Sequence, residues 1–306
     1  MIGASNRVFA RTRGRAGRWE MVGMDKEERK AQAAKHNALM KGAFSGDTET
    51  TVAAAAIYEE GASLKIELPE PPFETTETMV TTAFAPEAFY RNGKGKTVVV
   101  DPASFTRPGG AYEDGAFGPE QIICSESNLY QVLCGIKGFY HDKNRDYRRG
   151  QLFTDRAAYL PGVAFSRGGV RRADVIAISE PLRERALENH RSERECDNAL
   201  KTRIEAFLTI AAANECETLI VGAFGCGRLG YPTSQVIGVF SAWLDEHPGA
   251  LGRVVFAVPR AFFDDFDAAF GRPEEDHAPE PEVASEEEED EFDLSSIELP
   301  EGVTLR

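Results

Sequence analysis

The sequence predicts a three-layer α/β/α domain with a mostly parallel, mixed sheet, and three observations carry that prediction. Short β-branched runs alternate with helical segments along residues 97–270. Two of those runs, Thr97-Val98-Val99-Val100 and Thr218-Leu219-Ile220-Val221, are continuous, as strands covered on both faces are. Each runs into a glycine-rich loop that precedes a helix. Strands alternating with helices place a parallel sheet between two helical layers.

Taken in order, residues 1–24 form a basic arm, with Arg7, Arg11, Arg13, Arg15 and Arg18 against Glu20. It is open to three readings: an arm that touches phosphates, an over-extended reading frame ahead of Met21 or Met24, and an Arg-rich transit segment. No function is assigned to it. The folded domain is expected over 25–272. Asp25 to Ala43 is charged, Ala-rich and almost free of breakers, and Asp25 with Glu28 three residues on suits a capped helix start. Ser63–Leu68 alternates apolar and polar residues and predicts a half-buried strand. Ala83–Arg91 predicts a short helix, Thr97–Val100 a buried strand, and Glu120–Leu133 one helix. Val163–Ser166 and Val175–Ile178 predict strands, Ala199–Ala213 a helix, Thr218–Val221 a strand and Ser234–Asp245 a helix. Arg253–Val258 and Ala261–Phe270 close the domain as strand and helix.

Composition bounds the function classes. Of the net charge of −15, −13 lies in residues 273–306, where fourteen acidic residues face one arginine. The body is therefore nearly neutral, and no Lys/Arg stripe favours duplex nucleic acid. The tail lacks the apolar content to fold, although Phe292 to Leu299 could dock on a protein partner. It could also compete electrostatically with an anionic ligand, an effect salt would screen. The five cysteines show no paired spacing and, with the histidines, no metal pattern, which suits a reducing, cytoplasmic setting without zinc or disulfides. No run is long and apolar enough for a membrane span.

Two loops carry the candidate chemistry. The first runs from Val98 to Tyr130 and contains Pro108-Gly109-Gly110-Ala111 between a strand and a helix. Glycines there let backbone N–H groups approach an anion at a helix N-terminus, with Glu120 and Gln121 in the first helical turn. A Gly-Gly turn also serves as a mere tight connection. The second loop, Gly222-Ala223-Phe224-Gly225-Cys226-Gly227-Arg228-Leu229-Gly230-Tyr231, holds four glycines in nine residues, a large cost in chain entropy for a simple turn. A wrapped diphosphate is its natural ligand. Cys226, with no histidine nearby in sequence, is read as a small packed residue rather than a nucleophile. The glycines do not make the G-x-G-x-x-G dinucleotide pattern after the first strand.

Together the loops resemble the microbial-type poly(ADP-ribose) glycohydrolases, a branch of the macrodomain superfamily. The first family motif, N-F-A-S-x-x-x-P-G-G-G followed by Q-E-E and S-x-x-L-Y, is similar to Asp101-Pro102-Ala103-Ser104, Pro108-Gly109-Gly110-Ala111, Pro119-Glu120-Gln121 and Asn128-Leu129-Tyr130. The second, G-A-W-G-C-G-x-F, is similar to Gly222 through Leu229, and Tyr159-Leu160-Pro161-Gly162-Val163 resembles the family's tyrosine-proline turn before a strand. The resemblance, over about Asp25 to Phe270, implies a macrodomain that binds ADP-ribose or an ADP-ribosylated macromolecule without a cofactor. Binding residues would be Gly109, Gly110, Ala111, Gly225, Cys226, Gly227, Arg228, Leu229, Gly230 and Tyr231.

The resemblance also implies an acid/base at the last residue of Q-E-E, which protonates the leaving ribose hydroxyl and then deprotonates water. That position is Gln121, whose amide does neither at neutral pH. Three further departures are Pro119 for Gln, Asp101 for Asn, and Leu229 for an aromatic ring, whose contact Tyr231 is expected to supply. Two readings follow. In one, the carboxylate has moved, and Asp101 or Glu120 transfers the proton in cleavage of an O- or N-glycosidic bond. In the other, the domain is a non-catalytic ADP-ribose reader. Asp101, Glu120 and Gln121 are the candidate catalytic positions.

Overall fold

A computed structural model describes residues 23–147 and 149–271. The basic arm, apart from its last two residues, and the acidic tail lie outside the described residues. The domain opens on α1 (Lys26–Ala43), where Asp25 is the N-cap and the predicted capping box forms: Glu28 N donates to Asp25 Oδ1 at 2.9 Å and Asp25 N to Glu28 Oε2 at 2.8 Å. There follow α2 (Ser45–Ala54), β1 (Ala56–Tyr58), β2 (Glu77–Thr81), α3 (Ala85–Asn92) and β3 (Thr97–Pro102). Next come α4 (Pro119–Ser125), α5 (Leu129–Gly135), β4 (Ala157–Phe165), β5 (Arg171–Ile178) and α6 (Arg183–Glu188). The chain closes with α7 (Glu193–Ala213), β6 (Thr218–Val221), α8 (Thr233–Glu246), β7 (Arg253–Ala257) and α9 (Arg260–Phe270).

The seven strands form one sheet in the order β1-β4-β5-β3-β6-β7-β2. Strands β2, β3, β5, β6 and β7 are mutually parallel, while β4 and β1 are added antiparallel at one edge. Two cores flank the sheet, and β3 alternates between them. Val98 and Val100 pack with residues of α6–α9; Val99 packs with residues of α1 and α3–α5. Leu219, Ile220 and Val221 of β6 are wholly buried, each side chain contributing about 1.5–3 kcal/mol of apolar burial. This is the three-layer, mostly parallel arrangement the sequence predicts.

Three elements differ from expectation. Ser63–Leu68 is not a strand; Ser63–Lys65 makes a single helical turn. Asp155 takes the Gly61 N–H on both carboxylate oxygens, at 3.0 and 3.1 Å, and Ile66 and Leu68 lie against the α6–α9 core without a partner strand. The helix expected over Glu120–Leu133 is two helices, because Ser127 bridges to Phe165 of β4. Asn128 there accepts the Ala164 N–H at 2.9 Å and donates to Thr48 Oγ1 at 3.0 Å. Finally, Tyr159–Val163 lies inside β4 rather than before a strand. The pairing with β5 shifts between Leu160 and Val163, at a proline that has no N–H to give the ladder.

Candidate active site

Loop geometry follows from the sheet order. β3 and β6 are neighbours and parallel, so the loop after Pro102 and the loop after Val221 rise from adjacent strand tips at one end of the sheet. Ligands of such sheets bind there. A cleft of about 540 Å³ lies at that end, within the usual range for small-molecule sites. Pro102, Gly118 and Pro119 line it from the first loop, and Gly222, Cys226, Arg228 and Leu229 from the second. Phe84, Phe117 and Phe262 give it apolar walls, Phe84 and Phe117 meeting edge to face at 6.4 Å.

The first loop folds back on the start of α4. Pro119 occupies the first turn, where its missing N–H costs nothing, so the helix entry is kept despite the departure from the family motif. Glu120 is buried, and its Oε2 accepts the Ser104 hydroxyl at 2.6 Å. Gln121 Nε2 donates to Gly109 O at 3.0 Å and to Glu120 Oε2 at 3.3 Å. Gly110 stands over this cluster at φ +57°. A Cβ there would sit 2.5 Å from Ser104 Oγ and 3.0 Å from both Glu120 Oε2 and Gln121 Nε2. Only glycine meets both the backbone angle and the space. Burial pushes the Glu120 carboxyl up to about 7, opposed by the Ser104 hydroxyl and the backbone amides of Ser104 and Gly109.

Asp101 lies behind the cleft wall, as Glu120 does, but unlike Glu120 its side chain makes no hydrogen bond among the described residues. Its side chain points from β3 into the α4–α5 layer, wholly buried, and is absent from the cleft wall. Neither carboxylate oxygen has a hydrogen-bond partner among the described residues. Burial, then the nearby Glu120 and Glu180, hold its carboxyl well above the ordinary aspartate range. It lies behind the cleft wall rather than on it.

In the second loop, Gly225 adopts φ +83° with Leu200 so close that a Cβ would lie 2.8 Å from it. Cys226 is buried and its thiol is pushed up to about 12, by burial first and the Glu180 charge second, which matches a packed residue rather than a nucleophile. Tyr231 does not supply the ring expected over the reacting ribose. It is buried in the α6–α9 core and its hydroxyl donates to Cys196 O at 3.0 Å. Gly230 turns away as well, its carbonyl taken by Arg183 at 3.2 Å. Gly109, Gly110 and Ala111 belong to the turn that frames Ser104 and Gln121 and are not on the cleft wall.

One cleft carboxyl escaped the sequence reading. Glu180 follows the tip of β5, lines the cleft, and accepts the Gly225 N–H on Oε1 at 2.8 Å. Burial pushes its carboxyl up to about 7, against the Gly225 N–H and the Arg228 charge. A signal existed: a lone acid directly after a predicted parallel strand stands where ligands bind.

Fold and site define the class, a macrodomain: a sandwiched, mostly parallel sheet with paired glycine loops at neighbouring strand tips. Residues 24–168 match the family model of the microbial-type PARG catalytic domain. That match spans a little under half of the chain and lies within the macrodomain fold described above. A poly(ADP-ribose) glycohydrolase from Thermomonospora curvata is similar at 26% identity and TM-score 0.68, over 80% of this chain and 99% of that one. Its form bound to the inhibitor ADP-HPD matches at 26% identity and TM-score 0.66, with the same coverage. The glycohydrolase from Deinococcus radiodurans in complex with ADP-ribose shares the fold at 21% identity and TM-score 0.65, over 73% of this chain and 98% of that one. No curated protein sequence matches.

Proposed function

We propose that the cleft binds ADP-ribose and that the chain hydrolyses a glycosidic bond of ADP-ribosylated substrates, with Glu120 in place of the acid that Gln121 cannot supply. The observation that carries this reading is the Ser104–Glu120–Gln121 cluster beside a cleft formed jointly by the two glycine loops. Two loops with open backbone grip a pyrophosphate from both sides. A carboxyl that is half protonated near neutral pH can give a proton to a departing ribose oxygen. Oxocarbenium-like charge at the anomeric carbon then develops beside carboxyl groups, as in glycoside hydrolysis. The similarity to inhibitor-bound and ADP-ribose-bound glycohydrolases supports the ligand class.

One observation favours a second reading, a reader without chemistry: Gln121 stands at the family's catalytic position and commits its amide to Gly109 O. Calorimetry with ADP-ribose, NAD and ATP, joined to an ADP-ribose release assay, separates the two. The hydrolase reading expects tight binding of ADP-ribose alone, turnover by the native chain, and a loss of about 10²–10⁴-fold in Glu120→Gln. Binding with no release from ADP-ribosylated protein, nucleic acid or polymer makes the chain a reader.

A further inference from the structure

The site has three carboxyl groups, Asp101, Glu120 and Glu180, and among the described residues only Glu180 is on the cleft wall. Its position bridges neighbouring strand tips. It rises from β5, on one side of β3, and its Oε1 is held by Gly225 in the loop that follows β6, on the other side. That hydrogen bond ties the end of β5 to the loop after β6, on either side of β3. Arg228 links Glu180 to the family's catalytic position. Its guanidinium comes within 3.9 Å of the point a Gly118 Cβ would occupy, 2.8 Å from which lies Gln121 Oε1, and its charge is felt by Glu180. Arg228, on the cleft wall with Glu180, thus approaches the turn that carries Gln121.

We propose that Glu180 is the general base that activates the attacking water, supplying the half of the proton chemistry that Gln121 lacks; this rests on the hydrolase reading above. Water oxygen bonds to the anomeric carbon as the bond from that carbon to the leaving oxygen breaks. Glu180 takes the water proton, Glu120 gives its proton to the leaving oxygen, and exchange with solvent returns both groups to their starting states. Splitting acid and base between two carboxyl groups is the division of labour of many glycoside hydrolases. The groups that face Glu180 set its titration: Arg228 and the Gly225 N–H favour its ionised form, Asp101 lies close enough to interact with it, and Cys226 is uncharged there. Near neutral pH the group is poised to accept a proton.

The test is the full-length chain as wild type, E180Q, Q121E and the Q121E/E180Q double variant. ADP-ribose release from poly(ADP-ribose) and calorimetric affinity for free ADP-ribose are measured for each. E180Q should lose about 10²–10⁴-fold in kcat. Its ADP-ribose Kd should move by less than about threefold, since a glutamine carbonyl still accepts the Gly225 N–H. Q121E should restore turnover in the E180Q background, a rescue that a purely loop-holding role would not give. Wild-type kcat should also pass through a maximum near pH 7, rising as Glu180 ionises and falling as Glu120 loses its proton, a check that needs no substitution. E180Q with wild-type kcat, or equal losses of affinity in both backgrounds without a kcat effect, or a flat pH profile, overturns the proposal. Turnover by both wild type and E180Q retires the base alone; ADP-ribose binding with no wild-type turnover retires the hydrolase reading and the base together.

Discussion

At the scale of single residues, burial is what raises the acids of this site: Asp101, Glu120 and Glu180 all have raised folded-state pKa values with burial as the first cause. A raised carboxyl binds its proton more tightly folded than unfolded. Its penalty is absent below the unfolded value and grows as pH rises toward the folded one. Asp101 is the clearest case, because neither of its oxygens is satisfied. Asp101→Asn should therefore stabilise the domain at pH 8 and do much less at pH 4.5. Thermal melts at the two pH values check this, with about 2–4 °C expected for each kcal/mol recovered in a domain of this size. A melt unchanged or lowered at pH 8 would show that ionised Asp101 is stabilised by something the burial argument omits. Cys226 and Tyr231 carry the same lesson: position in a motif says where a residue is, while hydrogen bonding and packing say which way it faces.

At the scale of elements, the short break between α4 and α5 ties the first loop to the sheet edge. Asn128 makes it by satisfying the Ala164 N–H and reaching Thr48. Asn128→Ala leaves that buried N–H unpaired and should cost about 1–3 kcal/mol, read as a lower urea midpoint at unchanged slope. The break also marks what a sequence can carry. Thr97–Val100 and Thr218–Val221 were legible because strands buried on both faces need continuous apolar residues. The capped start of α1 was legible because its two partners are three residues apart. The α4–α5 break was not, since the partners of Asn128 lie near residues 48 and 164. The alternation of Ser63–Leu68 predicts a strand because period alone does not reveal whether a partner strand exists. Strand β2 gives no clear sequence signal because Glu77-Thr78-Met79-Val80-Thr81 forms a half-exposed edge with mixed polarity. Glu180 has a local signal in its place just after a strand, but its partner, Gly225, is 45 residues away.

At the scale of the whole molecule, the cleft draws its walls from strands at the middle and the β2 edge of the sheet, so occupancy should be felt globally. ADP-ribose at a hundred times its Kd should add about 2.7 kcal/mol to unfolding, a rise of several degrees in Tm. ADP or ribose 5-phosphate alone should fall well short, each engaging only part of the paired loops. Equal shifts from all three would mean that the loops do not act together. The order of strands has a further consequence for biosynthesis. The partners of β3 are β5 and β6, both encoded downstream of it. While the ribosome is still reading toward residue 171, Val98, Val99 and Val100 have emerged with no neighbouring strand to pair with. That interval is the nascent chain's exposure to mispairing, and chaperones that cover emerging apolar segments have most to shield there.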